Sequence, residues 1–203
     1  MRKMIKRVML CLAIVLSGWC GSVIADRNSL RESIIRMHVV ANSDSMEDQS
    51  VKLKIRDAVL KEMETGFAQI SDPEAAKKYL QENLTKIEMV AKDILKAGGF
   101  EETATATLCK EAFGTRKYDT FTMPAGVYEA LRITIGTGEG KNWWCVVFPS
   151  LCVPTTSADF TEVAASAGFT DSLNGALTGE GEYQLRFYSL EVLGRLENIL
   201  FVE

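Results

Sequence analysis

A thiol needs a neighbouring base to act as a nucleophile, and this chain offers a single histidine, His38, to its five cysteines. Paired with Cys145 or Cys152, His38 would make a Cys/His hydrolase. Against that, His38 falls in a β-rich run on the same side as Arg36, where an edge or exposed histidine has no need of a catalytic role. The neighbouring carboxylates Glu101-Glu102, and Asp44 with Asp48, have the composition of general acids and bases. Their places are helix starts and turns, where acids complement the helix dipole. Gly136, Gly138 and Gly140 look like a phosphate-cradling loop, but such a loop feeds a helix, and here a strand follows. With no CxxC pair and one histidine, no zinc site is expected. The sequence therefore assigns no catalytic residue, no metal ligand and no cofactor, and predicts a protein that is not an enzyme.

What remains is the chemistry of contact. Trp143-Trp144 places adjacent indoles on opposite sides of a strand, and indoles are common anchors of protein interfaces. Lys141 and Asn142 precede them in a loop, and Arg116 and Tyr118 lie in another. The six form a candidate receptor-contact set with an aromatic centre and a polar rim. Burial of both indoles in the core is the competing reading.

Such a set needs a body to position it. The chain has 203 residues and 22.4 kDa, is 47% hydrophobic and 25% charged, and holds 4 Pro and 15 Gly. That suffices for one α+β domain and excludes a disordered tail, a collagen-like fibre and a multi-span membrane protein. Net charge is −4, yet residues 1–25 hold Arg2, Lys3, Lys6 and Arg7 and no acid. Removing those four cations from the 23 leaves 19 against 27 acids, a net −8 for the rest of the chain. A body that acidic has no footprint for nucleic acid.

Residues 1–25 read as a signal peptide or an N-terminal membrane anchor: a basic start, an apolar run from Val8, then Val23-Ile24-Ala25 before Asp26. Cleavage is expected between Ala25 and Asp26. An uncleaved anchor is the alternative, since about 18 apolar residues can just cross a bilayer. Bulky Trp19 directly before Cys20 argues against lipid attachment. Either way residues from 26 onward are exported, the export machinery and signal peptidase are partners, and the membrane is met only through this segment. An oxidising compartment then permits one disulfide among Cys109, Cys145 and Cys152. Cys145 and Cys152 flank Pro149, where a chain reversal would bring their Cα atoms within the required distance, so they are the candidate pair. Small buried hydrophobes are the alternative role for all three.

The exported body, residues 26–203, reads as a single α+β domain. Ile34–Ala41 is a first strand, and Ser45-x-x-Asp48 caps a helix along Val51, Ile55, Val59 and Met63. Ser71-Asp72-Pro73-Glu74 opens a second helix with buried stripe Ala76, Leu80, Leu84, Ile87, Ala91 and Ile94, stopped at Gly98-Gly99. Strands follow at Thr103–Phe113, Val127–Ile135 and Trp143–Phe148, the last apolar on both sides as a central strand would be. Residues 155–182 read as short helices on a loose connection. In the closing segment 183–203, Tyr188, Val192, Leu196 and Ile199 define an amphipathic helix. Helices grouped rather than alternating with strands predict a mostly antiparallel sheet covered by helices on one face.

Two long strings carry a resemblance. One is Ile35-Arg36-Met37-His38-Val39-Val40-Ala41-Asn42-Ser43-Asp44-Ser45, followed by Lys52-Leu53-Lys54-Ile55-Arg56-Asp57-Ala58-Val59-Leu60. The other is Pro124-Ala125-Gly126-Val127-Tyr128-Glu129-Ala130-Leu131-Arg132-Ile133, running into Asn142-Trp143-Trp144-Cys145-Val146-Val147-Phe148-Pro149-Ser150-Leu151-Cys152. Over roughly residues 30–153 the chain resembles the stage II sporulation protein R family, and strings this long are more specific than a short catalytic pattern. The resemblance implies an exported signalling protein of endospore-forming bacteria, made in the forespore and secreted into the space between forespore and mother-cell membranes. There it would activate the septal membrane aspartyl protease, stage II sporulation protein GA, which processes pro-sigma-E in the mother cell. The family supplies no catalytic residues to carry over. Besides the hydrolase, a structural septal protein held by an uncleaved anchor is the rival expectation.

Overall fold

Every residue of strand β1, Ile35–Val40, is buried, which requires cover on both faces of the sheet it joins. In the computed structural model, which describes residues 1–150 and 157–202, that sheet has the order β2-β5-β1-β6. Here β2 is Ala104–Phe113, β5 is Gly126–Ile135 and β6 is Asn142–Phe148. β2 runs antiparallel to β5 and β6 antiparallel to β1, while β1 and β5 are parallel, pairing Met37 with Leu131 and His38 with Arg132. The architecture is α+β with a mostly antiparallel sheet, as the grouped elements imply.

One face is covered by α2 (Met46–Phe67) and α3 (Pro73–Ala97). Ser45 accepts from the Asp48 N–H to start α2, and Asp72 accepts from the Ala75 N–H to start α3 with Pro73 in the first turn. Val51, Ile55, Val59 and Met63 of α2, with Ala76, Leu80, Ile87 and Ala91 of α3, close over Met37, Val39, Leu131 and Ile133. The other face is covered too, a correction to the one-sided arrangement expected. Val23 and Leu30 of α1 (Arg2–Ser33), Phe160 and Ala164 of α4 (Ser157–Ser166), Leu173 and Leu177 of α5 (Asp171–Thr178) and Leu190 of α6 (Gln184–Val202) pack on Phe113, Tyr128, Ala130 and Val146. The second layer was illegible because it joins the two ends of the chain: the apolar run of α1 reads as a leader, and the apolar stripe of α6 points away from the sheet.

Two further corrections concern single elements. β6, apolar on both sides and so expected to be central, stands at the end of the strand order; β1 and β5 are the inner strands. Its residues are covered by α2 on one side and by aromatic side chains on the other, which hides an outer strand as well as flanking strands would. The stripe Tyr188, Val192 and Leu196 of α6 is exposed, together with Leu185 and Ile199. The face turned to the sheet carries Leu190, Glu191 and Gly194 instead. Glu191 accepts from the Ala125 N–H at 2.9 Å and from the Thr115 hydroxyl, and a Cβ at Gly194 would stand 1.6 Å from the Ala125 carbonyl oxygen. α6 is therefore docked by a buried carboxylate and a bare backbone rather than by an apolar stripe.

α1 is one helix across the expected Ala25/Asp26 boundary. Its length and mean hydropathy are sufficient to cross a membrane, and its first twenty residues are exposed. Val23, Asp26 and Leu30 are buried, with Asp26 ion-paired to Arg186, and Arg27 and Arg31 paired to Glu197 at 2.6 and 3.1 Å. Within the span 155–182 the described part forms α4, α5 and a single 3₁₀ turn at Gly181–Tyr183.

Candidate functional site

The loop that delivers the candidate residues is held by the Asn42-Ser43-Asp44 turn. The Asn42 side-chain oxygen accepts from the Thr137 N–H at 3.0 Å, while its amide donates to Asp48 at 3.2 Å and Glu102 at 3.3 Å. Asp44 accepts from the Lys141 N–H at 2.7 Å, and buried Lys52 donates to the Lys141 carbonyl at 2.9 Å. Burial lowers the pKa of Lys52 against the opposing pull of Asp44. Gly136 and Gly138 adopt left-handed φ of +54° and +69°, and a Cβ at Gly140 would lie 2.2 Å from the Ser43 carbonyl oxygen. The glycine series thus serves a tight crossing between β5 and β6. The Lys141 side chain stays 77% exposed beside Asp44.

From Asn142 the chain enters β6 and its side chains alternate faces. Trp143 turns toward α2, half-buried, with the Arg56 guanidinium 4.2 Å from its ring centre. Trp144 turns to the opposite face, half-buried between two partners: Arg116 lies 3.7 Å over its ring and His38 stacks on it at 5.4 Å. Arg116 belongs to β3 (Arg116–Lys117), which among the described residues pairs only with β4 (Thr122–Met123), in a two-stranded ribbon that carries no sequence pattern. Tyr118, just past β3, stacks on Phe121 at 4.7 Å, and its hydroxyl accepts from Arg36 at 3.0 Å. The structure therefore brings Arg116, Tyr118 and Trp144 together at one patch beside Asn142, and places Trp143 on the far side of the sheet.

Four residues that the sequence did not put in the site, Arg36, His38, Glu111 and Arg132, belong to this patch. Arg36 is fully buried, its guanidinium 4.1 Å from the Phe113 ring and 5.3 Å from Tyr128. His38 Nδ1 meets Glu111 Oε1 at 2.8 Å, and Arg132 reaches the same oxygen at 3.0 Å. Burial pushes the Glu111 carboxyl up, but the His38 hydrogen bond and the charges of His38, Arg132 and Arg36 outweigh it and hold the pKa below the usual value. The alternation of β1 alone puts Arg36 and His38 on one face, which is the signal that could have joined them to Trp144.

Cys145 does not reach His38. Cys145 is buried on the α2/α3 side, paired in register with Met37, whereas His38 points to the Trp144 side. Cys152 lies outside the described residues, and with it the predicted pairing to Cys145. Cys109 carries a free thiol whose pKa is raised by burial. Among the described residues no group of three or more His, Cys, Asp or Glu stands ready for a metal ion.

The Stage II sporulation protein R family model matches residues 31–158, which is more than half of the chain. A curated relative, Stage II sporulation protein R of Bacillus subtilis (strain 168), is 41% identical over 121 residues, 60% of this chain and 54% of that protein. The chain thus spans about half the length of the relative it matches. No solved structure matches. The matched span takes in β1, the Asn42–Asp44 turn, α2, β2, the Arg116 ribbon, β5 and β6, the elements that build the Trp144 patch, and on that match the chain belongs to the stage II sporulation protein R family.

Proposed function

We propose that this protein is an exported signalling ligand of endospore formation, made in the forespore and carried across its membrane by the N-terminal segment. Its target is the septal membrane aspartyl protease, stage II sporulation protein GA, which processes pro-sigma-E in the mother cell. The observation that carries this reading is the Arg116–Trp144–His38–Tyr118 patch, built from residue types that dominate interface energetics and set on an acidic body. A ligand of this kind works by binding one state of its receptor more tightly than another, such as an assembled, cleavage-competent dimer. The apolar helix α1 keeps the patch close to a membrane until it is cut, and it supports either release or anchoring.

The test is a variant with Lys141→Ala, Asn142→Ala and Trp144→Ala together, checked for folding by circular dichroism. Loss of pro-sigma-E processing with folding retained is the expected result. Normal processing would remove this surface from the account. His38 and Cys145 face opposite sides of the sheet, which speaks against the Cys145 form of the hydrolase reading; Cys152 lies outside the described residues.

A further inference from the structure

We propose that the cluster of Arg36, Arg116, Tyr118 and Trp144 is a binding site for a carboxylate of the protein partner, either an acidic side chain or a chain-terminal carboxylate. The inference rests on the reading of this patch as the contact surface. Its starting point is a buried charge with no direct ion pair, although its field reaches Glu111. Arg36 is 0% exposed, makes one hydrogen bond, from Nη2 to the Tyr118 hydroxyl, and leaves Nε and Nη1 without a partner. Among the described residues it has no ion pair. A buried guanidinium without a direct counter-ion is unfavourable, and the faces of Phe113 and Tyr128 with the more distant Glu111 charge offset only part of that.

The neighbours share the deficit. Arg116 Nε and His38 Nε2 are also buried and unpartnered, so the unmet hydrogen-bonding capacity gathers around the Trp144 ring. Glu111 is not the missing counter-ion: its Oε1 is shared by His38 and Arg132, and its Oε2 is itself buried without a partner. A carboxylate brings two acceptor oxygens, and a planar guanidinium fork is the donor that fits them. Tyr118, already accepting from Arg36, can rotate its hydroxyl to suit either state.

Charge and access point the same way. The chain from residue 26 carries net −8, so an acidic partner is repelled over most of the surface and attracted at this spot, which gives orientation as well as affinity. Tyr118 caps Arg36 and Arg116 lies over Trp144, both carried by a ribbon that buried Phe121 and Met123 anchor in the core, with Phe121 stacked on Phe160 at 4.5 Å. Entry of the carboxylate requires that the half-buried Tyr118 and Arg116 side chains swing away from Arg36 and Trp144 while the ribbon stays anchored.

The experiment uses the full chain in detergent with Trp19→Phe and Trp143→Phe, leaving Trp144 as the reporter indole. Its fluorescence is titrated at constant ionic strength with Ac-Ala-Glu-Ala-NH2, Ac-Ala-Ala-Ala-OH, Ac-Ala-Gln-Ala-NH2 and inorganic phosphate. A saturable response to one of the two carboxylate peptides and none to the glutamine peptide is expected. The acidic-side-chain source is identified if the first responds, the terminal source if the second does. Arg36→Met should abolish the response and raise the melting temperature of the unliganded chain, and Arg116→Gln should weaken binding tenfold or more. Arg116→Gln alone carries the test if Arg36→Met does not fold. No saturable response to either carboxylate peptide, unchanged binding in Arg116→Gln, or tighter binding of phosphate than of both peptides would overturn the proposal. Peptide binding that is lost in Arg36→Met while pro-sigma-E processing persists would keep the site and reject the signalling role assigned to it.

Discussion

Glu111 sets the charge balance of the patch at the residue scale, and its behaviour with pH follows from its surroundings. Its folded pKa is depressed, so the stabilisation it provides is complete above the ordinary glutamate value of about 4.3 and is lost as pH falls through the folded value. Glu111→Gln should therefore flatten the fall of melting temperature in the acid range relative to the parent. The fall will not vanish, because Glu191 is held low by its bonds to Thr115, Ala125 and Arg195 despite the opposing effect of burial. Identical acid profiles for parent and variant would show that the His38–Glu111–Arg132 contact contributes nothing. The residue scale also shows where sequence reading stops. Trp143 and Trp144 were legible as indoles on opposite faces of one strand. The arginines over them, Arg56 and Arg116, come from a helix and a ribbon distant in sequence, and no spacing rule brings them there.

Element ends were legible because their chemistry is local. Ser45 with Asp48, Asp72 with Pro73, and Gly98-Gly99 mark the helices within a few residues of where they form. Arrangement was not, since the parallel pairing of β1 with β5, the outer position of β6 and the outward stripe of α6 depend on contacts between residues far apart in the chain, such as Ile35 with Phe148. α6 gives the sharpest prediction at this scale. Gly194→Ala forces a methyl group into the Ala125 backbone, where no flexible side chain can yield, and should cost about 1–3 kcal/mol or more. Denaturant unfolding of the parent and variant measures it, and equal midpoints would mean that α6 does not dock as described. The Asn42 turn offers a second check. Asn42→Ala removes the acceptor for the Thr137 N–H, so hydrogen exchange at Thr137 should quicken while α3 stays protected. Unchanged exchange would show that the turn does not hold the loop.

The whole molecule combines an apolar N-terminal helix, an acidic body with helices on both faces of its four-stranded sheet, and a cationic aromatic patch. Export would place Cys145 and Cys152 in an oxidising compartment, so alkylation under denaturing, non-reducing conditions should label Cys11, Cys20 and Cys109 in a chain that keeps residues 1–25, and Cys109 alone in one that has lost them. Labelling of Cys145 and Cys152 would contradict the pairing. Family membership, the patch and the span all belong to one account, in which the body acts outside the cell membrane by touching a membrane protease. Its most direct measurement is pro-sigma-E processing in a non-sporulating host that makes this chain, the protease and the pro-protein together. The account predicts processing only when all three are present and residues 1–25 are intact; equal processing by a chain lacking residues 1–25 and held in the cytosol would contradict it.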